Sequence, residues 1–119
     1  MKEKDIERDI LDYLYDLPRD KVYFFKVNTV GIYDPVRRQY RRNFNPHIVK
    51  GVSDILGVLD GKFVAIEVKT PKTRKRVSVD QKKFLDQVNS SGGIGFVATC
   101  IEDVDLVIGK LNRDSNLIF

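Results

Sequence analysis

The sequence predicts a mixed α/β (α+β) fold, a central mixed sheet flanked by helices, with elements in the order α-β-β-β-α-β-α. Three observations carry this. Apolar residues at helical spacing open the chain, two β-rich runs flank a two-residue turn near its middle, and a capped helix with a further strand and helix follows. A length of 119 residues, 42% hydrophobic and 32% charged, suits one domain over 1–119 with its own core.

Ile6, Ile10, Leu11, Leu14 and Leu17 recur on one helical face until Pro18 stops the pattern, so residues 4–17 are expected to be an amphipathic helix. Residues 22–27 are rich in β-formers and are expected to be a strand. Residues 31–50, arginine-rich and broken by Gly31, Pro35 and Pro46, are expected to be a long irregular excursion. Two strands, 54–59 and 62–69, flank Asp60-Gly61, a strong hairpin turn. Ser78-Val79-Asp80-Gln81 has the form of a capping box and opens a helix to about Asn89, with Phe84, Leu85 and Val88 on its buried face. Gly92-Gly93 ends that helix; residues 94–99 form a strand and 102–111 a last helix.

Several classes fall away. No apolar run approaches the roughly 18–20 residues needed to span a bilayer. The mixed-charge start, Met1-Lys2-Glu3-Lys4-Asp5, leads into no apolar stretch, so no secretory signal is expected and an intracellular, cytoplasmic location is. One cysteine, Cys100, excludes an internal disulfide and a cysteine-cluster metal site and is expected to be a small buried residue. His47 is the only histidine and is expected in a loop, which disfavours histidine-dependent acid–base chemistry and zinc.

The net charge of +4 is unevenly spread. Residues 35–53 hold Arg37, Arg38, Arg41, Arg42 and Lys50 without an acid, and residues 69–79 hold Lys69, Lys72, Arg74, Lys75 and Arg76 without one, so the rest of the chain is acidic. Two basic stretches on an acidic body suggest a polyanion-binding face, with the arginines and lysines acting as a group on phosphates; solvated loop charge is the plainer alternative. Tyr40, inside the arginine cluster, is a stacking candidate for an unpaired base or an ordinary exposed tyrosine.

If Asp60 and Gly61 are the turn, paired residue numbers sum to 121 across the hairpin, and Asp54 lies opposite Glu67 on one face with Cβ atoms ~5 Å apart. Lys69 shares that face, while Val64, Ile66 and Val68 point to the other. Opposed carboxylates repel unless neutralised. Either a hard divalent cation such as Mg²⁺ or Mn²⁺ lies between them, or Lys69 pairs with both on a wet sheet face. A one-residue slip would remove the pairing altogether. The basic flanks favour the metal site.

Gly51-Val52-Ser53-Asp54, Glu67-Val68-Lys69 and the later Gln81 together resemble the PD-(D/E)xK nuclease signature. With an acid-bearing first helix, Asn28-Thr29-Val30-Gly31-Ile32-Tyr33 and Gly92-Gly93, the chain resembles more narrowly the VRR-NUC (virus-type replication-repair nuclease) family, from about Glu3 to Leu111. The resemblance implies a restriction-endonuclease-like core and an Mg²⁺- or Mn²⁺-dependent endonuclease with no organic cofactor. It implies Asp54, Glu67 and the Val68 carbonyl as metal ligands, Lys69 as the catalytic lysine and Gln81 as a phosphate-region contact. Gln81 also suits the capping box, and the two roles are compatible. A first-helix acid, Glu3 or Glu7, is implied in an outer role; both precede an isoleucine by three residues, and Glu3 is preferred. Ser53 departs from the signature, where the name-giving proline would stand.

The expected partner is DNA, branched, flapped or a Holliday junction, cut by a homodimer in repair, recombination or replication, with no membrane contact. A non-catalytic nucleic-acid-binding module on the same fold, a sequence-specific restriction-type nuclease, and RNA as substrate are the alternatives.

Overall fold

The computed structural model describes residues 1–18, 20–27, 32–34, 36, 38–41 and 47–111, with 32–34 and 39–41 as backbone. The first helix, α1 (Glu3–Tyr15), buries Ile6, Ile10 and Leu14, the apolar stripe expected from their spacing. Strand β1 (Val22–Lys26) alternates, with Val22 and Phe24 inward and Tyr23 and Phe25 outward.

The excursion at 31–50 is not wholly irregular. Ile32–Asp34 (β2) and Gln39–Arg41 (β3) pair antiparallel as a separate two-stranded sheet, Ile32 opposite Arg41 and Asp34 opposite Gln39. Arg38 adopts a left-handed backbone (φ 53°) just before β3, which lets the chain turn back. The proline, glycine and arginine content hid two short runs of alternating β-formers. The observed order is therefore α-β-β-β-β-β-α-β-α.

The central sheet runs in the order β1-β4-β5-β6, formed by Val22–Lys26, β4 (Ile55–Leu59), β5 (Lys62–Val68) and β6 (Ile94–Ala98). The first two pairings are antiparallel and β5–β6 is parallel, so the sheet is mixed. Helix α2 (Val79–Ser90) makes the crossover between the parallel strands. The last helix, expected over 102–111, is α3 (Ile101–Val104) followed by a π-helical turn, Asp105–Gly109. The Tyr13 hydroxyl donates to Asp105 Oδ1 at 2.6 Å beneath that turn, and a Cβ at Gly109 would overlap both groups. Cys100 is half-buried and stands at the N-cap of α3, more open than expected.

Helices α1 and α3 cover one face of the sheet. Phe24, Ile55, Val64, Ile66, Val68, Ala98, Val104 and Ile108 join the α1 stripe there in the main core. On the other face α2 covers the β5–β6 half, where Ala65, Leu85 and Val88 form a smaller cluster. The β1–β4 half of that face carries Tyr23, Phe25 and Val58 exposed to solvent. Among the described residues, no helix is long and apolar enough to cross a membrane.

Gly57 sits where β4 passes the Phe24 ring, and a Cβ there would overlap that ring and the Tyr23 carbonyl. Gly57→Ala is expected to destabilise the protein by about 1–3 kcal/mol. Urea unfolding should show this as a lower midpoint with an unchanged slope.

Candidate active site

The site begins with the turn. Asp60 and Gly61 both have positive φ, 49° and 82°, the type I′ geometry whose twist suits two antiparallel strands. It fixes Leu59 opposite Lys62 and Ile55 opposite Ile66, which is the expected register. Asp54 immediately precedes β4 and continues that line. Its carbonyl accepts from the Val27 N–H at 2.8 Å, and its side-chain Oδ2 accepts from the Val68 N–H at 2.8 Å. The carboxylate is thus held across the Glu67–Val68 peptide.

Glu67 is 2% exposed. Its Oε1 accepts from Gln81 Nε2 at 2.9 Å and lies 3.8 Å from the Lys69 ammonium, while its buried Oε2 has no hydrogen-bond partner. Burial first, and then the charge and hydrogen bonding of the neighbouring Asp54, push the Glu67 carboxyl up to about 8. Lys69 opposes the shift, and Glu3 adds to it. Lys69 is itself largely buried, and its N–H donates to the Ala98 carbonyl at 3.0 Å, extending the β5–β6 ladder under the site.

Gln81 fills both roles read from the sequence. Its backbone N–H donates to Ser78 Oγ at 3.1 Å and its Oε1 accepts from the Ser78 N–H at 2.9 Å, closing the capping box. The other end of the same amide reaches Glu67. A reciprocal cap therefore locks the rotamer that points Nε2 into the site. Gly51 completes the seat: with φ 73° it passes so close to Asp80 and Gln81 that a Cβ would overlap the backbone of both.

The two first-helix acids separate. Glu3 is the one that acts electrostatically on Glu67, whereas Glu7 pairs with Lys26 at 3.1 Å. Lys72, Arg74, Lys75 and Arg76 are exposed on the turn between Lys69 and α2, which Thr70 and Thr73 knit by reciprocal hydrogen bonds. Arg74 also faces Asp103. Burial works against ionisation of that carboxyl, but the Thr99 N–H and hydroxyl, helped by Arg74, hold it below its usual range. Arg38 and His47 are exposed. Arg37 and Arg42 lie outside the described residues, as do Asn28 and the side chains of Tyr40 and Arg41.

Sequence reasoning missed the buried Ser53 hydroxyl, which like Glu67 Oε2 lacks a hydrogen-bond partner. Its position before Asp54 was legible, its enclosure by the folded chain was not.

Among the described residues no three His, Cys, Asp or Glu side chains cluster to hold a metal, so any ion here would rest on two carboxylates and backbone oxygen. The donor set fits a hard divalent cation. Two carboxylates meet and one buried oxygen is without a donor, which is a hard-oxygen donor set.

Facing acids at the open end of a β-hairpin, a lysine two residues beyond the second, and a mixed sheet between helices define a PD-(D/E)xK-type nuclease. The VRR-NUC domain model matches residues 32–100, more than half of the chain, and the protein belongs to that family. The fold is consistent with a restriction-endonuclease-like architecture, and membership implies a nuclease with DNA as substrate; nucleases of this type generally use divalent metals. No match to the chain was found among curated proteins.

Folded Glu67 binds its proton more tightly than an unfolded glutamate. In metal-free protein its contribution to stability is therefore greatest below the ordinary carboxylate range and is lost as pH rises toward about 8. Glu67→Gln should remove that loss. The variant is expected to gain on wild type between pH 5 and pH 8, by on the order of a few kcal/mol, in thermal melts with chelator present. Adding Mg²⁺ or Mn²⁺ at pH 8 should stabilise wild type and leave Glu67→Gln unchanged.

Proposed function

We propose that the chain is an Mg²⁺- or Mn²⁺-dependent endonuclease that hydrolyses phosphodiester bonds in branched DNA, a flap or a Holliday junction, in repair, recombination or replication. The observation that carries this reading is the buried Glu67 carboxylate, set against Asp54 beside Lys69 with one oxygen unpartnered. A binding module needs no such arrangement, because uncompensated like charges only cost stability.

Asp54, Glu67 and the Val68 carbonyl would hold the ion. A bound Mg²⁺ or Mn²⁺ supplies a water of lowered pKa and polarises a phosphoryl oxygen. Gln81 keeps Glu67 Oε1 turned toward α2, which leaves Oε2 directed away from that hydrogen bond. Lys69, its ammonium largely withdrawn from water, stabilises negative charge developing on the phosphate more strongly than an exposed lysine would. Glu3 lies close enough to influence Glu67 and serves as the outer acid. Lys72, Arg74, Lys75 and Arg76, with Arg37, Arg38, Arg41 and Arg42 of the β2–β3 segment, contribute the sequence-independent attraction to phosphates.

A homodimer would set two sites against two strands, as in Holliday junction resolvases. The uncovered half of the sheet, with Tyr23, Phe25 and Val58, offers apolar area for such a contact.

Cleavage of a four-way junction, a flap, single strands, supercoiled plasmid and an RNA counterpart, each with Mg²⁺, Mn²⁺ or EDTA, tests the reading. Metal-dependent cutting of the branched substrates is expected. Asp54→Asn and Lys69→Ala should lose at least ~100-fold in rate while still binding DNA, and Gln81→Ala about 10-fold or more. Binding without cutting on every substrate would leave the non-catalytic module in its place.

A further inference from the structure

A second recess opens on the active-site side of the sheet. It is a groove of about 390 Å³ bordered by Val49, Lys50, Phe63, Lys83, Phe84 and Val88, with no acidic side chain among its described lining residues. Two phenylalanines and two lysines thus line one concave space, and neither lysine takes part in the site around Glu67. Phe63 is 43% exposed on an inner strand, opposite Val58 near the hairpin turn, and the main core does not use it.

The groove and the active site lie on the same face of the sheet, on either side of the point where α2 covers Ala65, and two elements link them. On β5, Phe63 and Glu67 share a face four residues apart, ~13 Å at the usual strand rise. On α2, Phe84 follows Gln81 by three residues, about one helical turn. Lys50 adjoins Gly51, which seats the N-terminus of the same helix. A strand whose phosphate lies at Glu67 and Lys69 would pass around the first turns of α2, by Lys50 and the exposed Lys83, to bring one of its next few bases to Phe63.

We propose that this groove is a subsite for an unpaired nucleotide flanking the scissile phosphate: a base stacks on Phe63, with Phe84 behind it, and Lys50 and Lys83 hold the adjoining phosphates. The inference rests on the nuclease reading above and names what selects DNA with a single-stranded tail. Charge favours this occupant over a second copy of the chain, because an unpaired strand brings anions to both lysines. A base inside a duplex cannot present its face to a ring, so the subsite discriminates by strand state and not by sequence.

Binding measured in EDTA separates this inference from catalysis. Fluorescence anisotropy would compare a labelled duplex carrying a single-stranded tail with the same duplex blunt, and 2-aminopurine in the tail would report stacking. Phe63→Ala is expected to weaken tailed DNA about 10-fold or more and to abolish the 2-aminopurine quench, with blunt-duplex binding unchanged. Phe63→Tyr should restore both, and Lys50→Ala with Lys83→Ala should reduce the salt dependence for tailed DNA only. Circular dichroism would check that each variant is folded. An unchanged tailed-to-blunt ratio in folded Phe63→Ala and in the double lysine variant would overturn the proposal. So would dissociation of a homodimer by Phe63→Ala, seen in sedimentation, without change in that ratio. A protein that cuts no substrate but keeps the tail preference would fail the nuclease reading alone.

Discussion

Two carboxylates are forced to share a small space at the end of the β4–β5 hairpin, one of them almost wholly removed from water. Left uncompensated, this pair opposes folding, because desolvation and like charge both disfavour the ionised form of Glu67. Much of the local structure can be understood as what holds the pair in place. The type I′ turn sets the register that makes the acids face each other, and slippage by one residue would send one of them into the core. Asp54 is tied at both its carbonyl and its carboxylate, so it cannot swing away from Glu67. Lys69 is pinned through its N–H to β6, which keeps its ammonium near the repulsion it offsets.

The sheet divides the labour between its faces. The α1–α3 face buries a continuous set of aliphatic side chains from all four central strands, and that burial supplies the apolar driving force for the fold. The α2 face is only partly covered, and it carries the charged site, the groove and the exposed aromatic residues. Stability drawn from one face lets the other hold an arrangement that is unfavourable by itself. Helix α2 has a double part here: its apolar residues cover Ala65, while its first turn, fixed by the capping box, delivers Gln81 to Glu67.

What could be read in the sequence follows from how local the determinants were. Asp60-Gly61 specifies its turn within two residues, so the register from Leu59–Lys62 to Ile55–Ile66, which leaves Asp54 beside Glu67, could be worked out by counting. Ser78 and Gln81 announce a cap in the same way. Spacing alone did not separate Glu3 from Glu7, and the preference for Glu3 rested on the family resemblance; the physical contrast appears only once α1 packs on the sheet, bringing Lys26 to Glu7 and leaving Glu3 to act on Glu67. The β2–β3 hairpin was missed because three-residue strands carry too little periodicity against a background of proline and arginine. The groove draws on residues near 50, 63, 84 and 88, and no window of sequence brings them together.

The two kinds of cation are sorted by burial, and that sorting has a chemical logic. Lys72, Lys75 and Arg76 stand in water, where each attracts a phosphate over a range set by salt and holds it weakly. Lys69 is enclosed, so its charge acts at short range in a poorly screened setting, on Glu67 or on whatever anion replaces solvent beside it. Only two residues of chain, Thr70 and Pro71, separate Lys69 from Lys72, and the Thr70–Thr73 hydrogen bonds make that passage a defined turn. Arg74 is drawn to Asp103, which ties the turn electrostatically to the start of α3. The exposed charges are therefore displayed from a braced segment whose near end is Lys69 itself, and under the proposed function a phosphate drawn to them would already be close to the buried ammonium.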